Sequence, residues 1–524
     1  MKKRHIQILS MILALTFLLT ACGGGGNTQG NSGGDTGSGD TSGATKDTLT
    51  VAISADPNTL DPHQANLAQA INALNPVYET LVRYNDEGEI EGLLAESWEQ
   101  LDELSWQFNL RQGVKFHNGE EMTASDVLFS IQRATSEKGT NISHVMYIVD
   151  GEACEVVDDH TVIIRTKTPF APFLTYMTFM GACVVSEKEF TTDEENAINN
   201  PCGTGPFKFV SWTQNDRTTY VRNDDYWGEK PAYENLIIRT IVESNSRVIE
   251  LESGTVDIAY EIPATDIARL ESNENTKIAS RNSTTYEYLG MNCSKEPFNN
   301  PRFREAIAMA IDFDSMVTAV YGESAVVTRS PVTPGMTYSI SDQLESRYDP
   351  EAARAILDEL GIEEGTTFKL TTWNAQHRVD CATIMQSMLK EVGINLEIDA
   401  VELATWSSDL AAGNTDFFIA GFGAIGFPDP DMNIYGPLHE DQIPNSNYCF
   451  YANDDLSALL DESRAIPDGE ERQAIIEEIQ QIVYDEVPMI PYANTLQVVG
   501  LRSNVMGFTP TPAQNHFVHE VYFE

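Results

Sequence analysis

Basic residues are scarce in this chain. Its 33 Lys and Arg stand against 79 Asp and Glu, for a formal net charge of −46. A surface of that sign repels phosphate backbones, which excludes nucleic acid as a partner and disfavours direct docking on anionic lipid headgroups. Cysteine is sparse and scattered: Cys22, Cys154, Cys183, Cys202, Cys293, Cys381 and Cys449 show no C-x-x-C and no zinc spacing. No H-E-x-x-H, P-loop or dinucleotide loop occurs. The partial matches fail on context. Ser387-Met388-Leu389-Lys390 fits S-x-x-K, but on an amphipathic helix and without its companion motifs. Gly30-Asn31-Ser32-Gly33-Gly34 fits G-x-S-x-G inside a low-complexity repeat with no strand before it. Asp429 to Glu440 imitates a calcium loop, but Ile434 stands where the sharp turn needs glycine. His516 and His519 would share a metal only on a helix, and their stretch reads as extended. No metal, cofactor or catalytic site is therefore expected.

At 524 residues the chain exceeds what one core organises, and about two to four domains are expected. Hydrophobic residues make up 41% and aromatics 9%, a globular composition. Met1 to Ala21 reads as an export signal: Lys2, Lys3 and Arg4 precede an apolar core, Ile6 to Leu19, too short for a comfortable membrane span. Leu19-Thr20-Ala21-Cys22 matches a bacterial lipobox, in which cleavage precedes Cys22 and its thiol takes a diacylglycerol. The alternative is an ordinary secretory signal with a chance cysteine. Gly23 to Lys46 is mostly Gly, Ser, Thr, Asn and Asp and cannot bury apolar surface. As a flexible tether it would average about 27 Å end to end and reach about 80 Å when stretched. Residues 22–46 would thus leash a folded body to the extracytoplasmic face of a membrane by lipid alone.

The folded body starts near Thr48. Leu49 to Ile53 alternates as a strand, and Ile71, Leu74, Val77 and Leu81 recur near helical spacing, which predicts a helix running to Tyr84. Thr123-Ala124-Ser125-Asp126 is a capping-box-like helix start. Gly203-Thr204-Gly205-Pro206-Phe207-Lys208-Phe209 reads as a turn feeding a strand. Its glycines permit backbone angles that other residues resist, and Pro206 biases Gly205 towards extended geometry. Phe207 to Trp212 and Arg217 to Arg222 then form a hairpin, followed by Asn223-Asp224-Asp225-Tyr226-Trp227-Gly228. Beyond it, helices and short strands alternate as in an α/β sheet. Asp349 caps a helix with Pro350 at its first position, and Phe368 to Thr372, Ala382 to Glu391 and Ile394 to Ile398 make a β-α-β unit. Cys183 with Cys202 is the most local disulfide; buried free thiols are the alternative.

Gly-Thr-Gly-Pro-aromatic, followed by Asp-Tyr-Trp-Gly, resembles the fingerprint of the peptide/nickel solute-binding proteins of bacterial ABC importers, the oligopeptide/dipeptide-binding family 5. Leu60-Asp61-Pro62, Tyr78-Glu79-Thr80-Leu81-Val82, Trp106 to Arg111 and Gly113 to Gly119 are similar to that family too, in its order, across nearly the whole mature chain. The resemblance implies an α/β, two-lobed periplasmic-binding-protein-like fold of type II, in the three-domain peptide-binder variant. Residues 47–84, 203–288 and 496–524 would form a first domain, 85–202 an inserted domain in the same lobe, and 289–495 the second lobe. Crossovers near 285–292 and 490–500 would act as the hinge. The implied function is a monomeric lipoprotein that captures a small solute, by default a di- or oligopeptide, and delivers it to the transmembrane subunits of a permease. A nickel chelate or a sugar as cargo, and a sensor role on the same scaffold, stay open. A secreted hydrolase would need a nucleophile–base or two-carboxylate site that no motif supplies.

Asp416 to Asp431 is a strand running into Gly- and Pro-rich chain, the kind of strand exit where ligands gather in open α/β sheets. It resembles the family's Gly-Trp-Gly-Ala-Asp-Tyr-Pro-Asp-Pro pocket motif, whose Asp after Gly-Ala holds a peptide's α-amino group. Here Ile425 or Gly426 takes that position, one residue is inserted, and Phe422, before Gly423, replaces the Trp. Asp429 or Asp431 is left either as a substitute anchor or as a turn-shaping residue. Trp373 and Asn374 follow another strand end, and Arg378 falls close to where dipeptide-binding relatives hold a ligand carboxylate, with a solvated arginine as the alternative. Trp406 occupies a family aromatic position, for ligand stacking or for core packing. Asn66 and Gln69 would line the opposite wall.

Overall fold

The computed structural model describes residues 46–85, 88–423 and 429–524. The export signal, Cys22 and all of the tether but Lys46 lie outside the described residues. Eleven strands make the main sheet: β1 (Thr48–Ile53), β2 (Phe207–Thr213), β3 (Arg217–Arg222), β4 (Asn235–Thr240), β5 (Ile258–Ala259), β6 (Thr276–Met291), β7 (Ala325–Val327), β8 (Thr366–Trp373), β9 (Ile394–Val401), β10 (Phe417–Phe422) and β11 (Met489–Arg502). Their order is β9-β8-β10-β6-β11-β5-β1-β4-β3-β2, with β7 on β11. β1 runs parallel to β4 and β5, and β8 runs parallel to β9 and β10; the other pairs are antiparallel. A separate four-stranded antiparallel sheet is built from residues between Ala95 and Arg165.

Two long strands join the halves of this sheet. β6 and β11 pair along most of their length, but their register breaks between Asn282 and Tyr286. Before the break, β11 also borders β5; beyond it, Tyr286 to Met291 of β6 pairs with β10. Polar side chains hold the break. Asn494 Nδ2 donates to the carbonyls of Ser283 and Thr285, both at 2.8 Å. Asn433 Nδ2 donates to the Thr284 carbonyl at 2.8 Å and to that of Pro331 at 3.0 Å. Apolar side chains cluster on either side. One core draws on Leu49 to Tyr260 and Val499 to Val521, and others on Tyr286 to Ala493. Phe108, Ile131 and Phe173 of the inserted stretch share the first core with Leu49 and Leu74, so that stretch adds to a core already begun.

The expected helix to Tyr84 is shorter in the structure. It spans Ala68–Leu74 only, and Val82–Tyr84 is a strand. Pro76 explains the stop, since it has no N–H and its ring disfavours helix before it. Val77 and Leu81 are nonetheless fully buried, so their spacing marked the core and not the helix. The capping box at Thr123 and Asp126 forms, and Asp349 accepts from Ala352 N at 2.9 Å. No helix among the described residues is long and apolar enough to cross a membrane. The Cys183–Cys202 disulfide is not formed. Cys183 is buried in the first core as a free thiol, and Cys202 packs at its edge.

The turn before β2 departs from its expected reason. Neither Gly203 nor Gly205 is among the glycines with positive φ. A Cβ on Gly203 would lie 2.1 Å from the Val77 carbonyl oxygen, and one on Gly205 2.7 Å from it. The glycines therefore allow backbone to lie on backbone. Gly205 N donates to Val77 O at 2.9 Å, Phe207 N to Pro76 O at 3.0 Å, and His117 N to Gly203 O at 2.9 Å. The docked segment brings three donors to one buried carboxylate, Glu79. Thr204 Oγ1 donates to it at 2.7 Å, Tyr226 Oη at 2.6 Å and Trp227 Nε1 at 3.0 Å. Burial pushes the Glu79 carboxyl above its ordinary range, and the three hydrogen bonds pull it back down. Glu79→Ala would orphan one buried donor, Thr204, and two half-buried ones, Tyr226 and Trp227, at about 1–3 kcal/mol for a fully buried group. A loss of about 3 kcal/mol or more in urea unfolding is expected.

Candidate functional site

A cavity of about 450 Å³ opens beside this hub, within the range of small-molecule sites of about 300–1,000 Å³. Tyr78, Glu79 and Tyr226 form part of one wall, and Arg83, Tyr84 and Glu91, from the antiparallel pair Val82–Tyr84 and Ile90–Gly92, another. The C-terminal run from Gly507 to Glu520 covers a third side. Arg281 of β6 closes it, together with Gly335 and Thr337, which flank Met336 of the second half's core. The cavity is thus walled from both sides of the β6–β11 crossing.

The C-terminal wall is pinned by side-chain amides of the first helix and the residue after it. Asn72 Nδ2 donates to Gln514 O at 2.9 Å, and Asn75 Nδ2 to His516 O at 3.2 Å. His516 N in turn donates to Asn72 Oδ1 at 2.7 Å. The His516 ring is buried and accepts from Thr511 N at 3.1 Å; burial lowers its pKa to about 3. His519 instead lies 3.5 Å from Glu520. The two imidazoles have separate partners, and no group of three or more His, Cys, Asp or Glu is placed to hold a metal among the described residues.

None of the ten expected ligand residues lines this cavity. Six of them lie on or after β8 and β10 or on the helix Leu403–Ala411. Arg378 is buried and donates from Nη2 to Glu287 Oε1 at 2.8 Å, so it is not a solvated arginine. Its guanidinium stacks on Trp373 at 4.3 Å, while its Nε and Nη1 find no hydrogen-bond partner among the described residues. A Cβ on Gly421 would lie 2.7 Å from Glu287 Oε1 and 2.8 Å from Arg378 Nη2, which explains the glycine. Trp406 is core: it is buried and its Nε1 donates to Ile419 O at 3.2 Å. Trp373 and Phe422 pack half-buried against the same core, Asn374 is exposed, and Gly423 backs onto Thr285. Asn66 is half-buried, and Gln69 donates to Ser54 Oγ at 3.2 Å over a small separate hollow. Ile425 and Gly426 lie outside the described residues.

Asp429 and Asp431 both have cationic partners already. Asp429 caps the helix Pro430–Leu438 by accepting from Asp431 N at 2.8 Å, and it faces Arg472 at 3.0 Å. Asp431 is gripped by Arg464 at 2.6 and 2.9 Å and accepts from Tyr176 Oη at 2.7 Å. Tyr176 belongs to the inserted stretch, so this carboxylate ties the two halves of the molecule together. Ala171 N adds a bond to Arg464 O at 2.5 Å. As the structure stands, neither aspartate is free to meet an ammonium ion. The sequence signal for the actual cavity was indirect. The Gly-Thr-Gly-Pro and Asp-Tyr-Trp-Gly motifs led to Glu79, but nothing marked Arg281 or the C-terminal wall.

Two outcomes follow from these charges. Arg464→Ala leaves Asp431 buried without its cation, and a loss of about 3–5 kcal/mol is expected in chemical denaturation. The second concerns pH. Burial lowers His63 and His117 to about 4, as it lowers His516 to about 3. Each ring stays neutral in the fold and protonates on unfolding near pH 6.5. Their stabilisation is therefore complete above about pH 6.5 and lost as pH falls towards 4, by about 1.4 kcal/mol per pH unit for each ring. Glu79 and Asp429, raised by burial, act with the opposite sign. His516→Gln should thus lose stability less steeply than the wild type between pH 6.5 and 4, as read by thermal unfolding.

Comparison with known proteins places this architecture. Residues 89–445 match the family described as "Bacterial extracellular solute-binding proteins, family 5 Middle". The probable D,D-dipeptide-binding periplasmic protein DdpA of Escherichia coli (strain K12) is 28% identical over 488 residues, which cover 89% of this chain and 92% of that protein. The glutathione-binding protein GsiB of Salmonella typhi is 27% identical over 485 residues, covering 90% and 93%. The periplasmic binding protein DppA of Helicobacter pylori, solved with the peptide STSA, superposes with a TM-score of 0.76 at 28% identity, over 92% of this chain and 98% of its own. The large mixed sheet with its helices is the fold of these binding proteins, none of which is named as an enzyme. This chain belongs to family 5 of the bacterial extracellular solute-binding proteins.

Proposed function

We propose that this solute-binding protein carries a di- or oligopeptide to the transmembrane subunits of an ABC permease, as a monomer held to the membrane through lipid on Cys22. The observation that carries the peptide reading is the likeness to a relative solved with a peptide bound, at 28% identity and over 98% of that relative. A cavity of about 450 Å³ with walls from both sides of the β6–β11 crossing supports it. Residues 47–84, 203–288 and 496–524 serve as a first domain, 85–202 as an insertion and 289–495 as a second lobe. The solute lies between the lobes and draws them together, because only the closed state offers contacts from both. Asn66, Gln69, Trp373, Asn374, Phe422 and Gly423, none of which lines the cavity as it stands, meet the solute in this reading only once the lobes have closed. Asp429, Asp431, Arg378 and Trp406 hold the walls in place.

Thermal unfolding with pools of short peptides, each with free and acetylated amino termini, tests the cargo. A ligand at a hundred times its dissociation constant stabilises by about 2.7 kcal/mol. Because Asp429 and Asp431 are already paired, comparable shifts with both forms are expected. Shifts with free amines only would return a carboxylate to the role of amine anchor. No shift with any peptide would remove the peptide reading and leave nickel chelates and sugars to be screened. The anchor is tested by Cys22→Ala, which should release the protein from the membrane fraction.

A further inference from the structure

Six charged groups border the cavity: Glu79, Arg83, Glu91, Arg281, His519 and Glu520. Five have partners. Glu79 holds its three donors, Arg83 lies 2.7 Å from Glu91, and His519 lies 3.5 Å from Glu520. The half-buried Arg281 guanidinium has no carboxylate and no hydrogen-bond partner among the described residues. Every other described arginine has a carboxylate or a backbone carbonyl as partner, as Arg111, Arg354 and Arg502 have carbonyls. A guanidinium carries five donors in a rigid fork matched to planar oxyanions, and leaving it partly desolvated without one is unfavourable.

Its place in the fold adds to the argument. Arg281 precedes Asn282, where the β6–β11 register breaks. Gly335, with a φ of +94°, brings the opposite wall against that strand; a Cβ there would lie 3.3 Å from the Asn282 Cβ. An anion on Arg281 would therefore meet the crossing strand close to walls contributed by both halves. Arg378, where the family resemblance puts a carboxylate partner, is committed to Glu287.

We propose that Arg281 binds a carboxylate of the solute and selects for cargo that carries one in the cavity. The inference rests on the peptide reading above and names the group by which the peptide is held. A phosphate group offers the same fork-matching oxygens and is the other source of such an anion.

The test is calorimetric titration of the full chain with a peptide from the thermal screen, against its C-terminal amide and against versions with Gln for each Glu and Asn for each Asp. Wild type should lose about 10- to 100-fold in affinity when the relevant carboxylate is neutralised. Arg281→Gln should lose a similar factor for the acid and then bind acid and neutral forms alike. Arg281→Lys should recover part of the difference. Unfolding midpoints of the free variants check that they fold. If Arg281→Gln binds the acid as tightly as wild type, or weakens acid and neutral forms equally, the inference is overturned while the peptide reading stands. If no peptide binds wild type, the peptide reading falls and the anion site is tested alone with succinate and inorganic phosphate. Stabilisation by succinate that Arg281→Gln abolishes would uphold a carboxylate site. Stabilisation by phosphate alone, or by neither, would overturn it.

Discussion

The structure depends on how two strands change partners without leaving polar backbone buried and unpaired. β6 and β11 run through both halves, and at residues 283–285 their ladder breaks. Buried carbonyls left there would each cost about 1–3 kcal/mol. Asn494 and Asn433, both buried, take up these carbonyls with their side-chain amides. Asn433 sits on the helix that Asp429 caps, so the crossing and the second half are tied through one element. The halves are also tied outside this crossing, by Tyr176 on Asp431 and by Ala171 N on the Arg464 carbonyl.

Charge is handled by one rule through much of the interior. A buried acid is matched to donors on another part of the chain: Glu79 to Thr204, Tyr226 and Trp227, Asp431 to Arg464 and Tyr176, Asp429 to Arg472, Glu287 to Arg378. Such pairs add little net stability over apolar packing, but breaking one is costly, so they specify which segments meet. With only 33 basic residues, most interior cations are committed in this way, and one that is not is informative. The acidic exterior keeps the protein soluble and disfavours adhesion to anionic membranes, in keeping with a body that would hang from a lipid.

Much of the fold was legible in local pattern. The hairpin after Pro206, the Thr123 capping box, the Asp349 cap and the β-α-β unit around β8 and β9 all depend on near neighbours, and each forms. The helix after Ala68 was overread because Val77 and Leu81 keep helical spacing for a different reason: both are buried in the first core past Pro76. The site was much less legible. Asp429, Asp431, Arg378 and Trp406 stand out in sequence as polar or aromatic residues near strand ends, but each finds its partner within the protein. Arg281 stands in an unremarkable strand and gains interest only because no carboxylate among the described residues opposes it.

By itself, the sequence determined the class of the protein. Its motifs and their order set a solute-binding scaffold, since these depend on short stretches whose chemistry survives out of context. Tertiary structure decided what each charged or glycine residue is for. Gly203 and Gly205 prove to be places where backbone meets the Val77 carbonyl, not turns needing positive φ. Aspartates left between ligand anchor and turn-shaping residue become bridges to Arg464 and Arg472, while Arg281 is left facing a cavity. The physical reason is range: a cap or a hairpin is settled within a few residues, whereas a carboxylate's partner lies 33 to 255 residues away and exists only once the chain has closed.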